Sequence, residues 1–238
     1  MHPRASGQGI FPRYGGGWMH QFGHVYALQQ ELLHEGRANW FRAVELWHTA
    51  RQEGVAMNSA HYTNILRQCV PPAAWEQSLR TLRQMSREGI RPDVVGLACA
   101  MAACADGNRA DAVESLFREY GAKMQLDSVC YLALMKARGA AMRWRDVLEV
   151  GHRQESDGVP FLPYTYTILL EACDHTDDVA YAHELVGRMR SDSFELSSDG
   201  HRHAQRLFAR HDRLSELEVL LRDTACRSPP LQSQARLV

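Results

Sequence analysis

A spacing of about 35 residues recurs through most of this 238-residue chain. The clearest column contains a glycine or a substitute for it, in steps of 35, 34, 35 and 35 residues, at Gly54, Gly89, Lys123, Gly158 and Ser193. Three further columns keep the period: Trp40, Trp75 and Trp144, with the skipped slot at Arg109; Ala43, Ser78, Ala112, Val147 and Ala182; and Ala27, Tyr62, Leu97, Tyr131 and Tyr166. A fixed period of this length indicates a stack of small structural repeats.

Each period has the pattern of two short helices. Its second half carries apolar residues at helical spacing, as in Leu79, Leu82 and Met85, and ends at a residue such as Gly89. Its first half is a short apolar run such as HYTNILRQC, and VPPA, ADGN or HTDD forms the turn between the halves. We expect the single 34-residue step to lose its residue in such a turn, within CADGNRAD.

A helical hairpin buries its apolar face only by stacking on its neighbours. The sequence therefore predicts an all-α fold, a right-handed α-solenoid of about five helical hairpins. The small residues of the Ala43–Ala182 column allow close helix approach, and we expect the tryptophans to fill the seams between repeats. The expected segments are an N-terminal extension at 1–23, repeats at 24–197, a degenerate terminal helical pair at 198–226 and a tail at 227–238.

The charge balance argues against a strong general grip on nucleic acid. The chain has 27 basic and 28 acidic residues, whereas proteins that bind nucleic acid mainly through counterion release carry a clear basic excess. Any contact with RNA is therefore expected to be local, weak or shared with partner proteins. The six cysteines include no C-x-x-C pair, and those at 69, 99, 104 and 173 lie in apolar helical runs typical of buried free thiols.

The first 30 residues contain no Asp or Glu but carry Arg4, Arg13 and several histidines and aromatics. This asymmetry is typical of an organelle transit segment and predicts a mitochondrial location. The alternative is an extension that docks on a neighbouring protein, and the two are compatible. No stretch has the eighteen or so apolar residues of a membrane span, so no membrane partner is expected.

The unit Ser59–Asp93 resembles the pentatricopeptide repeat family. It has Tyr62 near its start and closes with Met85, Gly89, Ile90, Pro92 and Asp93 at the family's spacing. The 35-residue period and the terminal Pro-Asp separate it from tetratricopeptide repeats. The resemblance covers residues 24–197 and is weaker outside this unit. It implies a solenoid whose first helices line a groove for single-stranded RNA.

The resemblance also implies which residues read RNA. In this family one residue early in the first helix and the last residue of the same unit select a base, and Thr63 with Asp93 would favour guanine. Leu132 with Leu162 cannot read a base edge. Asn58 closes the preceding unit, and the residue that would pair with it lies near Leu28. The candidate RNA-binding residues are therefore Asn58, Thr63, Asp93, Ala98, Asp127, Thr167 and Ser197.

Phosphate contacts are expected from basic side chains on the first helices. Arg67, Lys136 and Arg138 are suited to this role, but Glu171 and Asp174 oppose it in the fourth unit. We expect contact with one or two nucleotides at most rather than readout of four or five bases.

The sequence contains no pattern of a catalytic or cofactor site. H-x-E followed by P-C-x-x-C and G-x-x-x-x-G-K are both missing from the sequence. His201 and His203, in the run Asp199–His203, are expected to lie at a solvated helix start, and His175 beside Asp174, Asp177 and Asp178 in a polar turn. No catalytic residue, metal, cofactor or small-molecule substrate is predicted.

Three functions remain open. The first is a scaffold subunit of a mitochondrial ribonucleoprotein, such as a mitochondrial ribosome component or assembly factor, with ribosomal proteins and RNA as partners. The second is a free-standing, sequence-specific RNA-binding factor for organelle transcript processing, stability or translation. The third is an enzyme or its accessory subunit, which no feature supports. The neutral charge and the interrupted base-reading pairs favour the first.

Overall fold

The computed structural model describes residues 44, 45, 47–49, 52, 57–71 and 73–225. The predictions for 1–23, 227–238, Ala27, Leu28, Trp40, Ala43 and Gly54 lie outside these residues. From residue 57 to 225 the described chain forms ten helices and no strand: α1 Ser59–Cys69, α2 Trp75–Arg87, α3 Val94–Asp106, α4 Ala110–Gly121, α5 Ser128–Ala140, α6 Trp144–Ser156, α7 Pro163–Thr176, α8 Val179–Ser191, α9 Ser198–Arg210 and α10 Leu214–Ala225.

The helices form two layers. The odd-numbered helices pack side by side in chain order, and each even-numbered helix packs on the odd-numbered helix before it and, except for α10, on the one after it. The apolar core runs unbroken from Tyr62 to Leu217 through both layers. The predicted all-α solenoid of helical hairpins is confirmed. Among the described helices none is long and apolar enough to cross a membrane.

Polar N-caps start most of the odd-numbered helices. Asn58, Asp93, Asp127 and Ser197 each accept a hydrogen bond from the backbone N–H three residues further on. Such a cap satisfies one of the free backbone donors of the first turn. Helix α7 instead follows Leu162 and begins with Pro163, whose missing N–H needs no partner there.

One residue with positive φ recurs in every turn between an odd-numbered helix and the next helix. In the described chain these residues are Ala73, Asn108, Met142, Asp177 and Asp212. Each lies at the same distance from the start of its hairpin, because the helix starts 59, 94, 128, 163 and 198 follow the same steps of 35, 34, 35 and 35. The turns therefore share one backbone geometry in all five hairpins.

The predicted position of the missing residue was wrong. The turn around Asn108 is complete, whereas α4 has 12 residues where α2, α6 and α8 have 13. Deletion from the turn would rotate the second helix against the core, while a shorter last helical turn loses only one backbone hydrogen bond. The true column is therefore Ser78, Val113, Val147, Ala182 and Leu217, all buried, with Val113 in place of Ala112.

The tryptophans in the described chain lie at the expected seams. Arg109 stacks over the Trp75 ring at 4.3 Å, and a Cβ added at Gly107 would be 2.4 Å from Trp75 Cδ1. In the same way Trp144 stacks flat on His175 of the next hairpin, with ring centroids 4.4 Å apart. Because α4 starts with Ala110, this residue and not Arg109 occupies the tryptophan slot.

Within three hairpins a tyrosine connects the first helix to the end of the second. Tyr62 donates a 2.6 Å hydrogen bond to Glu88, and the same bond joins Tyr131 to Asp157 and Tyr166 to Asp192. Of the other two hairpins, the second has Leu97 in the tyrosine column and the apolar C-cap Ala122 at the end of its second helix, and the last has His201 in that column. Burial raises the pKa of the Cys69 and Cys104 thiols to about 11, as expected for inert core cysteines.

Candidate nucleic-acid interface

The predicted base-reading residues occupy one structural position that repeats along the odd-numbered helices. The first member of each pair is the fifth residue of an odd-numbered helix, and the second member immediately precedes the next odd-numbered helix. Because successive odd-numbered helices are neighbours, each pair meets at the same edge of the layer. The chain thus presents four equivalent positions, from residue 59 to residue 197.

The first pair is hydrogen bonded. Thr63 Oγ1 lies 2.9 Å from Asp93 Oδ1 and 3.0 Å from Oδ2, and it donates to the carboxylate. Asp93 Oδ1 also accepts from the backbone N–H of Gly96 at 2.7 Å, which fixes the carboxylate as the cap of α3. Thr63 is buried and Asp93 is exposed, so the carboxylate oxygens are the atoms that a ligand can reach.

The fourth pair repeats this arrangement with two hydroxyl groups. Thr167 Oγ1 and Ser197 Oγ are 2.8 Å apart, and Ser197 accepts from the N–H of Gly200 at 3.1 Å. As in the first pair, the threonine is buried and the capping residue is exposed. A hydroxyl can both donate and accept, so this position selects less strongly between bases than a carboxylate does.

The second and third positions lack a polar pair. Ala98 is buried opposite Asp127, whose Oδ1 caps the N–H of Cys130 at 3.0 Å. Leu132 and Leu162 are both half-buried and offer no side-chain hydrogen bond. Asn58 caps α1, and its own backbone N–H donates to Nδ1 of His61 at 3.2 Å, but its predicted partner in base reading lies outside the described residues. The structure therefore joins two polar side chains at only two of the four predicted pairs.

An exposed apolar column next to these pairs was missed from the sequence. Val95, Val129 and Tyr164 are the second residues of α3, α5 and α7, and 38%, 38% and 54% of their surfaces are exposed. Each follows closely on a capping residue of the base-reading positions. Flat or branched apolar surface beside a polar pair can pack against a nucleobase. The signal in the sequence was their 34- and 35-residue spacing, which is hidden among many buried valines.

The basic residues expected to contact phosphate are partly paired with acids. Lys136 forms an ion pair with Asp106 of the preceding odd-numbered helix, and its Nζ lies 6.0 Å from the Tyr164 ring centroid. Arg138 Nε lies 3.4 Å from Glu114. Arg67 is exposed. The positive potential along these helices is therefore weak, in keeping with the neutral composition.

The prediction of a solvated setting for Asp174 and His203 was wrong. The Asp174 side chain is 1% exposed and lies between α7 and α9, where it contacts Arg206, Arg210 and His203. Its Oδ2 lies 2.9 Å from His203 Nδ1 and 2.7 Å from Arg206 Nε. The sequence placed both residues in polar surroundings, but helix packing turns them towards each other across the seam.

The three basic partners determine the ionisation of Asp174. Burial alone would raise its pKa, but hydrogen bonds from Arg206 and His203, with the charges of Arg206 and Arg210, outweigh burial and hold the pKa below its usual range. The carboxylate therefore acts as an ionic clamp between the last complete hairpin and the terminal pair. No group of three or more His, Cys, Asp or Glu side chains among the described residues is placed to hold a metal ion.

The two layers of helical hairpins define this chain as an α-solenoid repeat protein. The sequence matches no family model and no curated protein. Solved structures nevertheless share its fold. The pentatricopeptide-repeat domain of Arabidopsis thaliana protein-only RNase P 1, determined in complex with tRNA, superposes with a TM-score of 0.67 at 14% identity, over 79% of this chain and 97% of that domain.

Two further structures agree with this comparison. Nuclear protein-only RNase P 2 of Arabidopsis thaliana gives a TM-score of 0.64 at 13% identity over 79% of this chain. The maize pentatricopeptide repeat protein PPR10 gives 0.60 at 16% identity over 90% of this chain. This chain spans 42% of the former protein and 31% of the latter. The chain therefore has the pentatricopeptide-repeat fold.

Proposed function

We propose that this chain is a non-enzymatic, RNA-contacting scaffold subunit of a mitochondrial ribonucleoprotein, as a component or assembly factor of the mitochondrial ribosome. The observation that carries the proposal is the repeated edge of the odd-numbered helices. There a buried threonine orients an exposed capping residue, once with Asp93 and once with Ser197. An exposed apolar side chain follows three of the four N-cap positions at this edge: Val95 after Asp93, Val129 after Asp127 and Tyr164 after Leu162. Together these groups suit the edge and the face of a nucleobase.

The small number of polar pairs limits what RNA alone can contribute to binding. Two of the four described positions lack a polar pair, and Lys136 and Arg138 nearby share their charge with acids. Because non-specific affinity grows with the number of phosphates neutralised, this edge is expected to bind isolated RNA weakly. A stable place in a particle would then depend on protein contacts along the solenoid.

The second candidate is a free-standing RNA-binding factor of the organelle. The Thr63–Asp93 pair favours it, because a fixed carboxylate selects a base that offers hydrogen-bond donors. The structures of similar fold include PPR10 in complex with an 18-nucleotide psaJ RNA element, matched at a TM-score of 0.52 and 18% identity. The two candidates differ in whether the protein is found in a large particle or free with one transcript.

The deciding experiment is affinity purification of the full chain from isolated mitochondria, with and without ribonuclease, followed by sedimentation and mass spectrometry. Co-sedimentation with ribosomal proteins that survives ribonuclease supports the scaffold. Free sedimentation with a single enriched transcript supports the second candidate and contradicts the first. Absence of the tagged protein from mitochondria contradicts the location in both candidates.

The non-enzymatic part of the proposal has its own test. Purified protein is incubated with precursor tRNA and with single-stranded RNA in the presence of Mg²⁺ or Mn²⁺. We expect no cleavage products above those of a buffer control. Cleavage that co-purifies with the protein through several columns would contradict the proposal.

A further inference from the structure

A cleft lies between the helical residues 44, 45 and 47–49 and α2. It has a volume of about 340 Å³ and is floored by Ile65 of α1. Arg80, Arg83 and Arg87 line one wall, and Trp47 and His48 line the other. Among the described residues that line this cleft none is acidic.

The three arginines form one face of α2. They are its sixth, ninth and thirteenth residues, all exposed, and by helical rise they span about 10 Å. Arg83 and Arg87 have no ion-pair partner within the described chain, while Arg80 lies 3.7 Å from Glu76 with both side chains more than 60% exposed. Such an exposed pair contributes little. Glu88, which follows Arg87, is engaged by Tyr62 and Gln84.

Two other repeats, with helices α6 and α8, show that this basic face is not required by the fold, whereas α4 has one arginine, Arg118, at the position of Arg83. The equivalent residues are Glu149, His152 and Ser156 in α6, and Glu184, Gly187 and Ser191 in α8. All three helices use the same core positions, so their outward residues are free to vary. Like charges four residues apart, as in Arg83 and Arg87, also destabilise a helix. In the free protein, repulsion between the arginines therefore lowers the free energy of unfolding, and a bound anion would remove this repulsion.

A second cleft of the same kind serves as an internal comparison. It lies between α4 and α6, with Leu134 of α5 at the position of Ile65. Its three lining arginines, Arg118, Arg138 and Arg153, share the cleft with two carboxylates, Glu149 and Glu114, and the latter contacts Arg138. Arg153 lies over the Phe117 ring at 5.2 Å and near Asp157. Only the cleft at α2, of these two, combines several cations with no carboxylate.

We infer that the cleft at α2 is a second RNA-binding site, which holds the phosphate backbone of a single-stranded segment on the outer layer, away from the odd-numbered helix edge. Guanidinium groups bind phosphate through two parallel hydrogen bonds, and three along one helix face can follow successive phosphates. The site goes beyond the proposed function, because it requires neither base selection nor a mitochondrial particle.

The aromatic wall favours RNA over an acidic peptide. His48 is exposed and lies edge-on against Trp47, with ring centroids 4.5 Å apart. The ring centroids of Trp47 and Tyr62 are 6.3 Å apart, and this contact anchors Trp47 to the core. An exposed ring supported in this way can stack on a nucleobase while the arginines opposite hold its phosphates. A carboxylate-rich peptide would use the arginines but has no base to stack on the ring.

The test exchanges this face for the one that α6 already carries. The variant Arg80→Glu/Arg83→His/Arg87→Ser places the residues of α6 at the same positions of α2, so the fold is expected to tolerate them. The control Arg118→Glu/Arg145→Glu changes two exposed arginines of α4 and α6 and lowers the net charge by the same amount. Unchanged thermal unfolding and circular dichroism establish that both variants are folded.

Binding of a mixed-sequence single-stranded RNA to the full chain is measured over a series of salt concentrations. Loss of three phosphate contacts should lower the slope of log K against log salt by about 2 for the α2 variant, with little change in the control. Ultraviolet cross-links from wild type should map to residues 44–49 or to α2. Equal slopes for wild type and the α2 variant, or equal losses in both variants, would overturn the site.

Two further measurements distinguish this RNA site from a site for acidic proteins and from the base-reading edge. Poly-glutamate should not displace the RNA; if it does so at similar charge concentration and depends on the same arginines, the site is one for acidic proteins. The Asp93→Asn variant should keep the salt slope of wild type, whatever it does to base preference. The site therefore stands even if base reading at Asp93 fails, and it falls if the salt slope does not depend on α2.

Discussion

The phenol of Tyr62 and the carboxylate of Glu88 are joined by a 2.6 Å hydrogen bond across the open end of one hairpin. The same bond recurs between Tyr131 and Asp157. It connects the first turn of an odd-numbered helix to the C-cap of the following helix and so fixes the angle between them. The two helices of the hairpin are therefore joined at both ends, by the turn at one end and by this side-chain bond at the other.

Removal of this bond should weaken one repeat without changing its packing. Tyr131→Phe keeps the ring but leaves Asp157 without its phenolic donor, and we expect a loss of about 1–2 kcal/mol in the free energy of unfolding. The control is Tyr164→Phe, at an exposed ring on α7, which should change stability by less than about 0.5 kcal/mol. Urea denaturation measures both, and equal effects would contradict the role given to the bond.

The same bond predicts a dependence on alkaline pH. Burial, with the hydrogen bond to Asp157 and its charge, raises the pKa of Tyr131 to about 12. A raised pKa in the folded state gives stability that is fully present below the unfolded pKa of about 10 and is lost as pH rises towards 12. Wild type should therefore lose more stability over this range than Tyr131→Phe. Parallel curves for the two proteins would contradict this.

Base preference should depend on the carboxylate of Asp93. Asp93→Asn keeps an N-cap for α3, so unfolding should change by less than about 0.5 kcal/mol, but the amide presents a donor where the carboxylate only accepted. We expect the preference for guanine at one position of a short RNA to fall, with a discrimination of about 1–3 kcal/mol at stake. Binding to RNAs that differ in one base measures it.

The matched control for this change is Asp127→Asn. Asp127 caps α5 in the same way, but its partner position holds Ala98 and offers no hydroxyl group. We expect this variant to bind the same RNAs with unchanged preference. A shift in both variants would attribute the effect to charge alone, and a shift in neither would remove base reading from this edge.

The clamp at Asp174 should contribute to stability mainly above pH 4. Asp174→Asn removes the carboxylate that contacts Arg206 and leaves Arg210 with Asp177 alone, at a site where the Asp174 side chain is buried, and we expect a loss of about 2–4 kcal/mol in the free energy of unfolding. Because the folded pKa is depressed, this stability is present above the unfolded pKa of about 3.9 and is lost as pH falls through the folded value. The difference between wild type and variant should therefore shrink in acid.

A suitable control for the clamp is Asp199→Asn. Asp199 lies 2.9 Å from Arg202, but 68% and 67% of the two side chains are exposed. Because solvent screens such a pair, Asp199→Asn should lower the free energy of unfolding by less than about 1 kcal/mol. Thermal unfolding from pH 3 to pH 7 compares the two variants, and equal losses at pH 7 would show that burial of Asp174 has no energetic effect.

The seam between the first two described hairpins can be tested with a pair of substitutions. Gly107→Ala places a methyl group against the rigid Trp75 ring, where a Cβ would be 2.4 Å from Cδ1, and should cost about 1–3 kcal/mol. In a Trp75→Ala background the same change should be nearly neutral, because the ring is gone. A cost that persists in this background would place the strain elsewhere.

The sequence predicted the repeat, the helices and the turns because each hairpin repeats one apolar pattern. The missing residue was misplaced because Ala110 begins α4 without the tryptophan that marks α2 and α6, and a gap of one residue has no signature of its own. The pair Asp174 and His203 was misjudged for another reason. Its setting depends on how α7 and α9 face each other, which periodicity within one helix does not reveal.

The base-reading edge was located from the sequence, while its surroundings were not. The positions of Thr63 and Asp93 follow from the period, because both are fixed relative to the helix starts. The exposure of Val95 and Tyr164, and the acidic partner of Lys136, depend on contacts between hairpins. Such contacts join residues about one repeat apart and lie outside any local pattern.

The order of the four positions along the solenoid has a consequence for any RNA laid across it. The hydrogen-bonded pairs at Thr63 and Thr167 are the outermost of the four, and the two positions between them present alanine or leucine. A strand in that groove would be recognised at two points with an unread interval between them. The chain would then select the distance between two nucleotides and not the identity of the bases that separate them.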